Sequence, residues 1–101
     1  MTKVAVARLD QVRPGKPLPV DAQGTALALF NLDGELYALA DSCTHEYSPL
    51  SEGEILDGAV ECFMHGAQFD IRTGKVLALP AVQPVKTYEV TVEGDIVCVE
   101  I

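Results

Sequence analysis

The chain has 101 residues, 49% of them hydrophobic, and 15 acids against seven bases give a net charge of −8. That is the length of one domain with enough apolar content to fill a core, and the acid excess argues against nucleic acid or an anionic membrane as a partner. No apolar run approaches the ~20 residues of a membrane helix, and MTKVAVARLD lacks the apolar region of a secretory signal. The chain is expected to be a soluble, cytoplasmic monomer, with residues 1–101 as a single domain.

Period-two patterning dominates, so strands are expected. They are predicted at residues 3–8, 17–20, 26–31, 35–40, 59–62, 68–71, 75–77, 85–92 and 96–101. Pro14, Pro17 and Pro19 break the N-terminal region into short extended pieces. Asp33-Gly34 is a strong hairpin signal between ALALFN and LYALA. The longest helix candidate is one turn around Pro49 to Glu52. Arg72-Thr73-Gly74 turns QFDI back into KVLAL, and Pro80 and Pro84 keep LPAVQP out of any central strand. Tyr88, Val90 and Val92 alternate with Glu89, Thr91 and Glu93, and Glu93-Gly94-Asp95 turns into the last strand. Cys98, in IVCVEI, reads as a small buried hydrophobe. The fold class is all-β, an antiparallel sandwich or partly closed barrel.

Both histidines and two of the three cysteines fall in two short motifs, Cys43-x-His45 and Cys62-x-x-His65, separated by 16 residues. Three cysteines are an odd number, which argues against a disulfide framework. Each motif sets a thiolate beside an imidazole within one loop. Together they offer two sulfur and two nitrogen ligands, the set needed by a [2Fe–2S] centre in which two His replace two Cys on one iron. A structural zinc ion accepts the same four ligands, although its usual order puts two Cys in one knuckle and two His in the other.

The segments CTHEYSPLSEG and CFMHGAQFDIRTGKV resemble the two cluster-binding loops of Rieske iron–sulfur proteins. Within that superfamily the chain is similar to the ferredoxin component of bacterial ring-hydroxylating dioxygenases. The resemblance runs from LFNLDGELYAL to the closing VKTYEVTVEGDIVCVEI. It implies a Rieske fold with a cluster-binding subdomain of two loops, at about residues 41–82. It also implies one [2Fe–2S] cluster, with Cys43 and Cys62 on one iron and His45 and His65 on the other. The implied role is a one-electron carrier, not an enzyme. Its implied partners are an NAD(P)H-dependent flavoprotein reductase and a terminal oxygenase.

Several positions depart from the family patterns. High-potential Rieske proteins pair an extra cysteine from each loop, but Ser48 and Met64 stand at those positions here. The Ser and Tyr that donate hydrogen bonds to cluster sulfurs are replaced by Ala67 and Phe69, which cannot donate. A potential near the low end of the Rieske range, about −150 mV, is expected. Glu46 replaces the Gly that follows the first His in many dioxygenase ferredoxins. Gly66, directly after His65, lets the backbone approach the cluster closely.

No Lys or Arg occurs from Asp41 to Ile71, a stretch that includes Glu46, Glu52, Glu54, Asp57, Glu61 and Asp70. A basic protein surface is the partner such a stretch would attract. An apolar tip of Tyr47, Pro49, Leu50 and Met64 is expected to add short-range contact. An oxygenase catalytic subunit needs two further His for a mononuclear iron, and none remains. A dinucleotide-binding reductase needs Gly-x-Gly-x-x-Gly, which is absent. The alternatives are the small subunit of a nitrite-reductase-like enzyme, a Rieske-type accessory protein, or a structural zinc module.

Overall fold

In the computed structural model, which describes residues 2–41, 49–62, 66–79 and 83–101, the alternating segments form short strands. They are β1 (Lys3–Arg8), β2 (Leu18–Ala22), β3 (Thr25–Leu32), β4 (Glu35–Ala40), β5 (Glu54–Leu56), β6 (Ala59–Glu61), β7 (Gln68–Asp70), β8 (Val76–Ala78), β9 (Thr87–Tyr88), β10 (Val90–Glu93) and β11 (Ile96–Glu100). Among the described residues they form three antiparallel sheets, ordered β1-β11-β10, β2-β3-β4-β9 and β5-β6-β7-β8. The expected all-β antiparallel class is met. Among these residues the strands do not close into a barrel, and no helix is long and apolar enough to cross a membrane.

The middle sheet separates two cores, because both of its faces are apolar. On β3, Leu27 and Leu29 face one core with Val97 and Val99 of β11. Ala28 and Phe30 face the other, with Val60, Phe69 and Cys62. β4 repeats the pattern, with Ala38 on the first side and Leu39 on the second. Successive strand side chains point to opposite faces, so an unbroken apolar run is what a strand covered on both sides requires.

Tight turns set the register. Leu32 pairs with Glu35, with Asp33 (φ 54°) and Gly34 (φ 93°) between them. Two positive φ values make this a type I′ hairpin, the turn that Asp-Gly favours. Gln23-Gly24 and Asp57-Gly58 build the same two-residue turn between β2 and β3 and between β5 and β6. The second of these creates β5, which lies outside the predicted strands. Three residues are too few to display a period.

The segment predicted as one strand over 85–92 is divided among neighbours. Val85 N–H donates to the Gly74 carbonyl at 2.9 Å, and Ala40 N–H donates to the Lys86 carbonyl at 2.9 Å. β9 then pairs with β4, and β10 pairs with β11. Alternation survives, but the partner changes at Glu89. A further departure is the 3₁₀ turn Leu9–Gln11, closed by Arg8 N–H donating to Gln11 Oε1 at 2.8 Å. The turn predicted at Pro49 to Glu52 is present as a 3₁₀ turn, Leu50–Glu52.

At the outer sheet, Lys3 Nζ donates to Glu93 Oε2 at 2.8 Å. That hydrogen bond, followed by the attraction of the same carboxylate, holds the Lys3 pKa above its usual 10.5. A raised lysine pKa favours folding below that range, and the contribution fades only as pH rises past it. It is therefore constant through neutral pH.

Gly34 and Gly74 both have positive φ, yet their surroundings differ. A Cβ on Gly34 meets nothing within 4 Å, whereas one on Gly74 collides with the Val85 carbonyl. Gly34→Ala should cost about 1–2 kcal/mol of unfolding free energy, the backbone term alone. Gly74→Ala should cost about 3 kcal/mol or more, because crowding is added to strain. Chemical denaturation of the two variants checks this; equal costs would remove the argument from close approach.

Candidate metal centre

Cys62 directly follows β6 and is 1% exposed, with a free thiol. Its N–H donates to the Ala67 carbonyl at 2.7 Å, and Gly66 N–H donates to the Cys62 carbonyl at 3.0 Å. The chain therefore leaves at Cys62 and returns at Gly66 through a turn closed by two backbone bonds. Gly66 has φ 78°, and a Cβ there meets nothing within 4 Å. The left-handed backbone explains glycine at this position. Below the turn, Glu61 pairs with Gln68, and Gln68 Nε2 donates to Glu61 Oε2 at 2.9 Å.

The first loop starts where β4 ends. Asp41 Oδ1 accepts from Ser51 N–H at 2.7 Å, and Asp41 Oδ2 accepts from Ser51 Oγ at 2.7 Å. Between these residues the chain re-enters the described structure at Pro49 and runs into Leu50–Glu52. Leu50 is fully buried in the same core as Cys62. It anchors the loop, and so it cannot serve in the apolar tip expected of it. Both loops thus spring from one core, which also holds Phe69 and Ala67.

Of the four expected ligands, Cys62 is described. Cys43, His45 and His65 lie outside the described residues, as do Glu46, Tyr47, Ser48, Met64 and Pro80. Ala67 and Phe69 are fully buried beside Cys62, and neither carries a hydrogen-bond donor. Cys98 is 5% exposed in β11, opposite Ala5 and Thr91. It belongs to a different sheet from Cys62 and packs as the small buried residue that was expected.

Other features went unseen in the sequence. The β7–β8 ladder pairs Gln68 with Ala78 but Phe69 with Val76, leaving Leu77 as the extra residue of a bulge. Leu77 and Leu79 are exposed at 55% and 74%. Bulges re-aim side chains near functional sites. The Asp41–Ser51 bond pair also has no sequence signature.

Residues 2–89 match the family model described as the Rieske [2Fe-2S] domain. The chain belongs to that family. It is 44% identical over 101 residues to the biphenyl dioxygenase ferredoxin subunit of Pseudomonas sp. (strain KKS102), covering 99% of this chain and 93% of that one. The structure of the ferredoxin of carbazole 1,9a-dioxygenase from Nocardioides aromaticivorans IC177 superposes with a TM-score of 0.93 at 37% identity. That match covers 98% of this chain and 97% of the other. A chain in the complex of reduced oxygenase and oxidised ferredoxin in carbazole 1,9a-dioxygenase aligns with a TM-score of 0.89 at 32% identity, over 96% of this chain and 91% of that one. The chain is a Rieske-type ferredoxin of the ring-hydroxylating dioxygenase group, an electron-transfer component and not a catalytic subunit.

The cofactor of this family is a [2Fe–2S] cluster bound by two Cys and two His. The described part of the site fits it. Cys62 offers an unpaired, buried thiol on a backbone fixed on both sides, and Gly66 leaves open space beside the turn. The second buried cysteine provides a control. Cys98→Ser should keep two irons and two sulfides per chain while costing about 1–3 kcal/mol of stability for the buried hydroxyl. Iron and sulfide analysis with a denaturation curve tests both parts, and cluster loss in this variant would put Cys98 in the ligand set.

Proposed function

We propose that Cys43, His45, Cys62 and His65 hold the cluster. We propose further that the protein carries single electrons from an NAD(P)H-dependent flavoprotein reductase to a terminal ring-hydroxylating oxygenase. The observation that carries this reading is the closed turn at Cys62. It fixes one thiol at the core, and His65 follows three positions later in the sequence, directly before Gly66. The ligand order, one Cys and one His in each loop, supports iron–sulfur over zinc. A monomer in the cytoplasm completes the proposal, and the free thiols of Cys62 and Cys98 suit a reducing compartment.

When bound, the cluster supplies a reversible one-electron step. The chain's own residues set its surroundings. Cys62 brings a negative thiolate into a buried site, whereas His45 and His65 bring neutral ligands. Fewer thiolates mean less negative charge, hence a potential above that of all-thiolate clusters. Ala67 and Phe69 offer no side-chain hydrogen bond to a sulfur, which keeps the potential low within the Rieske range. The acids from Asp41 to Asp70 favour a basic docking surface. Leu77 of β8, the strand paired to β7, and Leu79 just beyond it stand exposed, and β7 begins just after the second loop. They suit short-range apolar contact with a partner better than Leu50 does.

Electron paramagnetic resonance of the dithionite-reduced protein tests the ligand reading. A Rieske-type spectrum is expected from the wild type. Alanine at Cys43, His45, Cys62 or His65 should abolish it, with loss of iron. A silent protein holding one zinc would replace this reading with the structural zinc module. A Rieske-type spectrum that survives one of the four substitutions would remove that residue from the set.

Ala67→Ser tests the account of the potential. A hydrogen bond to a charged acceptor is worth about 1.5–3 kcal/mol, and about 1.4 kcal/mol corresponds to roughly 59 mV for one electron. The variant's midpoint potential should rise by about 60–130 mV where the new hydroxyl meets a sulfur. Protein-film voltammetry measures it. A potential that holds or falls, with the hydroxyl seen on sulfur, would refute the role given to the missing donors.

A further inference from the structure

The two loops are closed at their bases by different means. The second is closed by backbone bonds, Cys62 N–H to Ala67 and Gly66 N–H to Cys62. Among the described residues, no backbone hydrogen bond joins Asp41 to the returning segment Pro49–Gly53. Asp41 donates its N–H to Ala26, and Glu52 and Gly53 bond back to Pro49 and Leu50. What spans the base is one side chain. The Asp41 carboxylate takes both the N–H and the hydroxyl of Ser51, each at 2.7 Å.

We infer that Asp41 is a positioning residue, whose two-point grip on Ser51 fixes the spacing of the first ligand loop and thereby the geometry and retention of the cluster. The inference rests on the ligand assignment of the preceding section. Both bonds go to a charged acceptor in a partly buried setting, the strong kind of hydrogen bond. Asp41 lies two positions before Cys43 and is held by β4, whose register with β3 pairs Leu27 with Ala40. Ser51 lies in the turn whose first residue, Leu50, is fully buried in the core shared with Cys62. The grip therefore ties the start of the loop to a segment already fixed against the second ligand loop. The comparable side-chain bond on the second loop, Gln68 to Glu61, duplicates a base that the backbone already closes. It should matter far less.

The experiment compares holoprotein variants Asp41→Ala, Asp41→Asn, Ser51→Ala and Gln68→Ala. Readouts are the rate of iron release to a chelator, the resonance spectrum and midpoint potential of the reduced protein, and the thermal midpoint. The wild type is measured first, since a wild type without a Rieske-type spectrum would defeat the ligand reading and not this inference alone. Asp41→Ala should lose iron about tenfold faster or more, with shifted or broadened g-values and a moved potential. Ser51→Ala, which keeps the bond to its own N–H, should lose iron roughly threefold faster. Asp41→Asn keeps an acceptor for the Ser51 N–H and a donor for its hydroxyl, so it should restore most of the wild-type spectrum. Gln68→Ala should match the wild type. Should Asp41→Ala fail to fold, Ser51→Ala decides by the same readouts. Unchanged release, spectrum and potential in Asp41→Ala and Ser51→Ala would overturn the inference. So would a lowered thermal midpoint with an unaltered spectrum and potential, the mark of a merely structural bond. Equal effects of Gln68→Ala and Ser51→Ala would overturn it as well.

Discussion

The constraint on which the rest depends is the double burial of β3 and β4. Because side chains alternate across a strand, every residue from Leu27 to Phe30 is committed to one of two cores. A slip of one residue would send Phe30 toward the small space now filled by Leu27 and Leu29, and would move both leucines into the core beneath the loops. The Asp33-Gly34 turn prevents the slip by joining the strands through two residues with positive φ. The sheet thus serves as a wall. One side carries the β1-β11-β10 layer, and the other carries the sheet β5-β6-β7-β8, Cys62 and Leu50.

The segment after Gln83 holds that division together. Val85 bonds to Gly74 beside the second loop's sheet, β9 pairs with the wall, and β10 pairs with the outer layer. A stretch of nine residues, Val85 to Glu93, therefore touches all three sheets in turn. Arg72 adds a lateral tie, its guanidinium lying 5.6 Å from the Tyr37 ring centre, within cation–π range. Gly74 is crowded for the same reason. The approach of Val85 leaves no room for a side chain, so the turn Arg72-Thr73-Gly74 has a packing duty as well as a reversal to make.

What the sequence discloses follows from how local each signal is. The hairpin at Asp33-Gly34, the alternation in β10 and β11, and the burial of Cys98 are set within a few residues, and all can be read directly. The proposed ligand motifs stand out in the sequence because Cys-x-His and Cys-x-x-His set unlike side chains close together, and of the four residues only Cys62 lies within the described structure. The strand β5 escapes notice because its three residues show no period, although Asp57-Gly58 carries the same turn chemistry as Asp33-Gly34. The change of sheet at Glu89 is hidden, since alternation reports faces and not partners. Leu50 reads as surface among polar neighbours, yet the 3₁₀ turn points it into the core. The Asp41–Ser51 grip joins two common residue types ten positions apart, and nothing local marks it.

The site's chemistry and its mechanical support are distributed unevenly between side chains and backbone. At the second loop the backbone does the closing, so Ala67 and Phe69 are free to be apolar and to complete a dry core around Cys62. That dryness has an electrostatic consequence. On the proposed ligand set, a Cys62 thiolate receives no side-chain hydrogen bond from Ala67 or Phe69, and adding an electron beside it is correspondingly less favourable. At the first loop the balance is reversed, because a carboxylate closes the base. Its two oxygens each accept a bond from Ser51, which suits a carboxylate in a partly buried position. The proposed low potential and a loop held by an acid are thus compatible in one small core. On the proposed ligand set, the carboxylate that closes the first loop adds to the field that disfavours reduction, whereas a lysine or arginine at the same base would oppose it.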